Sequence, residues 1–221
     1  MRIVPAVRDY LRSLPVFAGS IREFDIDTVP SAPAELFTRW LLEAVNDGVV
    51  EPHAMTLSTN DAAGHPDART LILKDLENDR WWFATNAGSA KGIQLASCPA
   101  AALTFYWPSA ARQIRVRGTV TTGSPEMNAA DFRARGVRAR AVALVSQESQ
   151  SLTDRRTCAQ AVEEAKRRLA ADPGLVAPGW TVYAVAAGAV EFWQADKERQ
   201  HVRLRYTRSN DGRWTHTLLW P

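Results

Sequence analysis

The chain has 221 residues, 46% hydrophobic and 23% charged, the balance of an ordinary globular domain. That composition argues against a disordered, collagen-like or coiled-coil chain, and no apolar run reaches the ~18–20 residues that span a bilayer. Net charge is +3, from 27 basic and 24 acidic residues, with arginines clustered at 112–117, 133–140 and 199–208. Such clusters suit nucleic acid or phosphorylated small molecules equally well, and a solvated surface explains any single one as readily.

The first 30 residues hold Pro5, Pro15 and Pro30 and little periodicity, so they read as an extended arm with a short helix around Ala6–Leu14. One domain is expected over 31–221. Within Ala34–Asn46, Leu36, Phe37, Trp40, Leu41 and Val45 recur near the helical period, and Gly48 stands where a helix stops. From His53 the pattern alternates. Ala54–Thr59, Ala68–Leu76 and Arg80–Thr85, separated by Asn60–Gly64 and Asn78-Asp79, predict an antiparallel meander. Ser89 can cap a short helix to Ser97. Ala101–Trp107 and Gln113–Thr121 read as a strand pair around Pro108-Ser109. Ser124-Pro125-Glu126 opens a helix toward Arg135. Another starts at Thr153-Asp154 and ends at Asp172-Pro173-Gly174. Strands return at Trp180–Trp193, Val202–Arg208 and Trp214–Leu219, the last two joined by the hairpin turn Asn210-Asp211-Gly212. The expected class is mainly β with peripheral helices, a β-barrel. Neither a Rossmann glycine fingerprint nor a P-loop is present.

The N-terminus carries Arg2, Arg8, Asp9 and Arg12 without a clean apolar stretch, which argues against a secretory signal. Cys98 and Cys158 match no zinc or CxxC spacing and make a poor disulfide framework, so the expected location is the reducing cytoplasm, with no membrane and no metal.

Four segments carry candidate chemistry. Along Arg69–Lys74, a regular strand puts Arg69, Leu71 and Leu73 on one face and Thr70, Ile72 and Lys74 on the other. Two cations bracketing an apolar strand suit a phosphate beside a flat ring, although a half-buried strand with charged ends is the commoner case. Thr85–Lys91 is a polar loop entering a helix, a place for an anion or a plain capped turn. Gln113 opens a strand and can face a heterocycle or solvent. Arg199, His201 and Arg203 share one face of a regular strand, where three cations repel unless an anion or carboxylate compensates.

None of these decides alone, but their order does. RTLILK (69–74), TNAGSAK (85–91), RQIRVRG (112–118), VSQESQS (145–151), EFWQ (191–194), RQHVRLRY (199–206) and the terminal LWP closely resemble the pyridoxamine 5'-phosphate oxidase family, from about Glu51 to Pro221. The resemblance implies a homodimer of FMN-binding split β-barrels with FMN at the interface. It implies oxidation of the 4'-amine or alcohol of a phosphorylated B6 vitamer to pyridoxal 5'-phosphate, with O2 reduced to H2O2. Arg69, Thr70, Leu71, Ile72, Leu73 and Lys74 would line FMN, with Arg69 and Lys91 near its phosphate and Thr85 and Ser89 in the phosphate loop. Gln113 would reach the flavin from the partner, and Glu148, Ser149, Trp193 and Arg203 fall at further flavin positions. Lys74, Arg135, Arg199 and His201 fall at substrate positions, with His201 first for proton handling and Arg199 for orientation.

The sequence also departs from the family pattern. Ala84 replaces an aromatic, Ala90 an arginine and Glu148 a neutral glutamine. In the substrate-phosphate segment Arg135 is kept, but Asp131 stands for a tyrosine and Ala139 for a serine. Losing two neutral donors and gaining a carboxylate weakens a phosphate site, where each charge-assisted bond contributes roughly 1.5–3 kcal/mol. Either Arg133, Arg138 or Arg140 compensates, or the substrate differs. EPHAMTL (51–57) and this altered segment are similar to the phenazine-biosynthesis branch, which oxidises a reduced tricyclic carboxylate with FMN. A non-catalytic flavin-binding barrel is the other alternative. No nucleic-acid motif stands out.

Overall fold

The computed structural model describes residues 7–17, 21–152 and 154–221. In chain order the elements are α1 (Val7–Ser13), α2 (Pro33–Asn46), β1 (Ala54–Asn60), β2 (Pro66–Ile72), β3 (Asp75–Glu77), β4 (Arg80–Asn86) and α3 (Ala90–Ser97). There follow β5 (Ala100–Trp107), β6 (Arg112–Thr122), α4 (Pro125–Ala134), α5 (Val137–Val145), α6 (Arg155–Ala171), β7 (Trp180–Gln194), β8 (Val202–Arg208) and β9 (Trp214–Leu218).

All the strands belong to one antiparallel sheet, ordered β2-β1-β5-β6-β7-β4-β3, with β8 on β7 and β9 on β8. The fifteen-residue β7 is its spine. One edge of β7 carries β6 along most of its length. The other edge carries β4 opposite 180–186 and β8 opposite 189–194. β6 bends at a bulge between Arg117 and Gly118. Gly118 is required there, because a Cβ would lie 1.9 Å from the Ala186 carbonyl oxygen.

The predicted meander is replaced by two hairpins at opposite ends of this order: β2 pairs with β1, and β3 with β4. The single strand predicted over Ala68–Leu76 is therefore two, broken at Leu73-Lys74. The cause is visible in the amides. Leu73 N–H donates to His53 O (2.9 Å), on the β1 side, and Lys74 N–H donates to Trp82 O (2.8 Å), on the β4 side. This crossing curls the sheet toward closure, and it places Lys74 where the regular face alternation no longer holds.

α2 starts at Pro33, as its fixed φ favours. It buries Leu36, Phe37, Trp40 and Ala44. Val45, predicted on that face, is exposed, and Ala44 takes its place. Phe37 meets Phe105 edge-on (4.9 Å), and Trp40 meets Phe24 (4.8 Å) and Phe192 (5.2 Å). Each such pair adds roughly 0.5–1.5 kcal/mol to the burial itself. Trp81 and Trp107 are buried beside them, while Trp82 is only half-buried. Arg112 lies under the helix, 4% exposed, stacked on Trp40 (4.2 Å) and donating to Glu43 (2.6 Å) and Gln194 (2.8 Å). The cation is buried because both its charge and its N–H groups are matched.

α5 has no counterpart among the predicted elements. It packs on α6 through Ala141, Ala165 and Leu169. Among the described residues, no helix is long and apolar enough to cross a membrane.

Candidate active site

The turn Asn86–Ser89 delivers the chain from β4 into α3. Ser89 caps the helix by accepting from Gly92 N–H (3.3 Å). Gly92 lets the turn lie flat on the helix, since a Cβ would sit 2.4 Å from Ala87 O. Thr85 is buried and its hydroxyl meets Lys91 Nζ (3.1 Å). The segment after α5 folds onto this turn: Ser149 Oγ accepts from Ala90 N–H (3.1 Å), and Glu148 accepts from Lys91 Nζ (2.8 Å). Ser149 holds a φ of 70°, an uncommon conformation for a side-chain-bearing residue. Ala90, lacking the family's arginine, contributes only its backbone.

Arg69 lies beside the same helix. It donates to Thr59 Oγ1 (2.6 Å), Leu57 O (3.3 Å) and Gln94 Oε1 (3.1 Å), and pairs with Asp67 (2.5 Å). Gln94 lies one turn after Lys91, so Arg69 braces α3. Among its strand neighbours, Thr70 and Ile72 are exposed, Leu71 half-buried and Leu73 buried.

Lys74 reaches α4, where its Nζ meets Asp131 (2.5 Å). The other oxygen of Asp131 accepts from Trp180 Nε1 (2.7 Å). Trp180 packs with Phe132 and Ala84, so the small residue at 84 leaves room for the indole. Arg135 stacks on that indole at 3.9 Å, and its Nη1 is buried with no hydrogen-bond partner among the described residues. Burial pulls the Arg135 guanidinium below its usual pKa, opposed by the charges of Asp131 and Glu148. Ala139 falls on α5. Arg133 donates to Gly174 O (3.2 Å), and Arg140 to Pro173 O (2.6 Å) and Leu175 O (2.9 Å). Arg138 lines an open groove with Glu163 and Lys166 between α5 and α6. None of the three expected compensating arginines therefore takes part with Lys74 and Arg135.

The remaining residues form a second cluster. Gln113, Trp193 and Arg203 sit side by side across β6, β7 and β8. Arg203 donates to Glu191 through Nε (3.0 Å) and Nη2 (2.8 Å), and to Trp220 O (3.0 Å). Glu191 also accepts from Arg205 (3.0 Å). The expected row of three cations is not formed. Arg199 lies in the turn before β8 at a φ of 70°, its N–H bonded to Asp196 O (3.1 Å). Arg203 has its carboxylate in Glu191. His201 stands 5.0 Å from the Trp193 ring, and its Nδ1 accepts from Asp196 N–H (3.0 Å). In the neutral imidazole this places the proton on Nε2. Phe17, also at positive φ, packs against Trp193 and His201, each at 5.7 Å. Phe17, Gln94 and Trp180 carry no motif that singles them out in the sequence.

Trp180 starts β7 and Trp193 all but ends it. At the rise of a β-strand those positions are about 40 Å apart along the chain. Arg135 and His201, each beside one of these tryptophans, thus lie in separate halves of the molecule. The donors at the first end suit an anion: a hydroxyl, an ammonium and the positive end of α3 converge there. They fit a flavin phosphate, with Glu148 the one discordant charge.

Two family models match the chain: pyridoxamine 5'-phosphate oxidase over residues 41–169, and the pyridoxine 5'-phosphate oxidase C-terminal dimerisation region over 180–221. A pyridoxine/pyridoxamine 5'-phosphate oxidase of Paraburkholderia phymatum is 38% identical over 205 residues, covering 91% of this chain and 95% of the relative. That of Pseudomonas paraeruginosa is 39% identical over 194 residues, covering 87% and 90%. The crystal structure of PhzG from Burkholderia lata, in complex with tetrahydrophenazine-1-carboxylic acid, superposes with a TM-score of 0.84 at 28% identity, covering 92% of this chain and 100% of that one. A pyridoxamine 5'-phosphate oxidase-related, FMN-binding protein from Nostoc punctiforme shares the fold, with a TM-score of 0.72 at 22% identity over 86% and 98%. With its motifs in order and both halves of the sequence matched, the chain belongs to the pyridoxamine 5'-phosphate oxidase family of FMN-dependent oxidoreductases.

Proposed function

We propose that this protein is an FMN-dependent oxidase of a small ring compound anchored by an anionic group, with O2 as the final acceptor and H2O2 as a product. The observation that carries the reading is the chain of contacts that joins Lys74 to Asp131, Asp131 to Trp180 and Trp180 to Arg135, with Arg135 feeling the charge of Glu148, the partner of Lys91. The relatives at 37–39% identity point to a phosphorylated B6 vitamer, pyridoxamine or pyridoxine 5'-phosphate, oxidised to pyridoxal 5'-phosphate.

In this reading Thr85, Ser89, Lys91 and Ser149 hold the flavin phosphate, and Arg69 braces the helix that carries it. The strand from Thr70 to Leu73 lines the cofactor. Gln113, Trp193 and Arg203 come from the second copy of a homodimer. Bound FMN supplies the two-electron acceptor. Lys74 and Arg135 grip the substrate anion, with Trp180 as a flat wall. Arg199 and His201 of the second copy orient the ring, and His201, its Nδ1 engaged by Asp196, handles a proton at Nε2. One observation favours a second reading, a reduced tricyclic carboxylate: Asp131 already neutralises Lys74, which a phosphate dianion needs.

The test is an absorbance spectrum of the FMN-loaded protein with pyridoxamine 5'-phosphate in the absence of oxygen. Bleaching supports the vitamer reading. An unchanged flavin spectrum removes that substrate and leaves the second reading. Failure to retain FMN at all overturns the enzyme assignment.

A further inference from the structure

Resting on Lys74 and Arg135 as the substrate anchor, and choosing the carboxylate over the phosphorylated vitamer as its ligand, we propose that Asp131 is the specificity-determining residue of the site. It tunes the anchor to a singly charged carboxylate and against a phosphate dianion.

The argument begins with the charges. Lys74 and Arg135 bring two positive charges, and Asp131, 19% exposed, removes one by direct contact with Lys74 Nζ at 2.5 Å. The carboxylate is not a surface group that swings away freely. Its second oxygen is held by Trp180 Nε1 at 2.7 Å, and the same indole carries Arg135 on its face. Asp131 therefore stays with the anchor, and, with Glu148 matched by Lys91, the anchor's net charge is about +1. A carboxylate cancels that charge. A phosphate dianion overshoots it and meets Asp131 across a few ångströms of partly desolvated space, where like charges repel strongly.

The geometry agrees with the charge. Among the described residues Arg135 Nη1 is buried without a partner, an unmet donor, and a planar carboxylate is the group that satisfies a guanidinium with two parallel hydrogen bonds. A phosphate needs more donors than that guanidinium supplies. Lys74 is engaged, the family's serine position is Ala139, and Arg133 and Arg140 are committed to backbone carbonyls. The indole beneath Arg135 adds a flat apolar wall, suited to an aromatic acid. Discrimination then comes from a repulsive element as much as from an attractive one.

The experiment measures binding by calorimetry to the FMN-loaded protein, with two probes that donate no electrons: 4-deoxypyridoxine 5'-phosphate and phenazine-1-carboxylate. The wild type, Asp131→Asn and Arg135→Gln are compared. Asparagine keeps the size and can still accept from Trp180; Asp131→Ser serves as a second variant if it does not fold. The expected result is that Asp131→Asn tightens phosphate binding at least tenfold and changes carboxylate binding much less, while Arg135→Gln weakens both probes. If Asp131→Asn and Asp131→Ser leave the ratio of the two affinities unchanged, or weaken the phosphate, the charge filter is wrong although the anchor stands. If Arg135→Gln binds both probes as well as the wild type, the anchor itself is wrong and both readings fall.

Discussion

Glu191→Gln separates charge from shape at the β7–β8 junction. Glu191 is 7% exposed in its side chain and accepts three hydrogen bonds, two from Arg203 and one from Arg205. Glutamine keeps the size and one acceptor oxygen but removes the charge. With the amide oxygen facing Arg203, its two bonds are each weakened by about 1 kcal/mol, and Arg205 faces an NH2 group and loses its bond, hence roughly 3 kcal/mol for the set. The arginine side chains are 28% and 34% exposed, so solvent screens part of this, and about 1–2 kcal/mol is expected. For a domain of this size that lowers Tm by about 2–8 °C. The pH dependence identifies the cause. Burial pushes the Glu191 pKa up, but the hydrogen bonds from Arg203 and Arg205 and the charges of Arg203 and Arg115 outweigh it and hold the group below its ordinary value. A depressed carboxylate stabilises the fold above its unfolded pKa and loses that contribution as pH falls through the folded one. The gap between wild type and variant is therefore full at pH 7 and narrows below about pH 4. Urea unfolding at fixed protein concentration measures it. An equal gap at pH 7 and pH 3.5, or none at pH 7, refutes the charge argument.

Two further substitutions probe the site. Gly92→Ala, with its Cβ 2.4 Å from Ala87 O, displaces the turn from α3 and should weaken FMN retention at least tenfold, measured by flavin release on dilution. Gly136→Ala meets nothing within 4 Å among the described residues and serves as the silent control. His201→Ala should leave FMN bound and lower turnover on an accepted substrate by roughly 10²-fold or more. Unchanged turnover removes His201 from the chemistry.

Much of this was legible in the residues, and the failures have physical causes. Helix ends with local signals, such as Ser89, Ser124 and Asp154, fall where capping chemistry places them. Strand pairing is a long-range property, and the alternation of 68–76 carries no sign that the Leu73 and Lys74 amides bond to opposite sides of the barrel. α5 was hidden because Val137–Val145 has no cap and little amphipathic contrast; its burial depends on α6. Arg199 leaves the regular strand through a positive φ, which has no mark in the residue type. The departure at Asp131 was visible as an unmatched acid. Its bridge from Lys74 to Trp180 was not, since 57 residues separate the first pair and 49 the second.

The separation of the two clusters makes a strong demand on the assembly. Arg135 stacks on Trp180 and His201 packs on Trp193, at opposite ends of one strand. A small substrate spans less than about 10 Å, against up to about 40 Å of contour along β7, so one substrate is expected to meet both residues only across two chains. A twofold pair can, because an antiparallel arrangement brings one end of each chain beside the other end of its partner. The C-terminal dimerisation region matched over 180–221 covers Trp193, His201 and Arg203 of the second cluster, though not Gln113 on β6. The consequence is complementation. Arg135→Ala and His201→Ala are each expected to be inactive as pure dimers. A hybrid dimer, co-expressed with two different tags and purified through both, has one site carrying both substitutions and one carrying neither. Its activity should be about half that of the wild type per dimer. A hybrid as inactive as its parents would mean that each site lies within one chain, and the division of roles between the two ends of β7 would have to be abandoned.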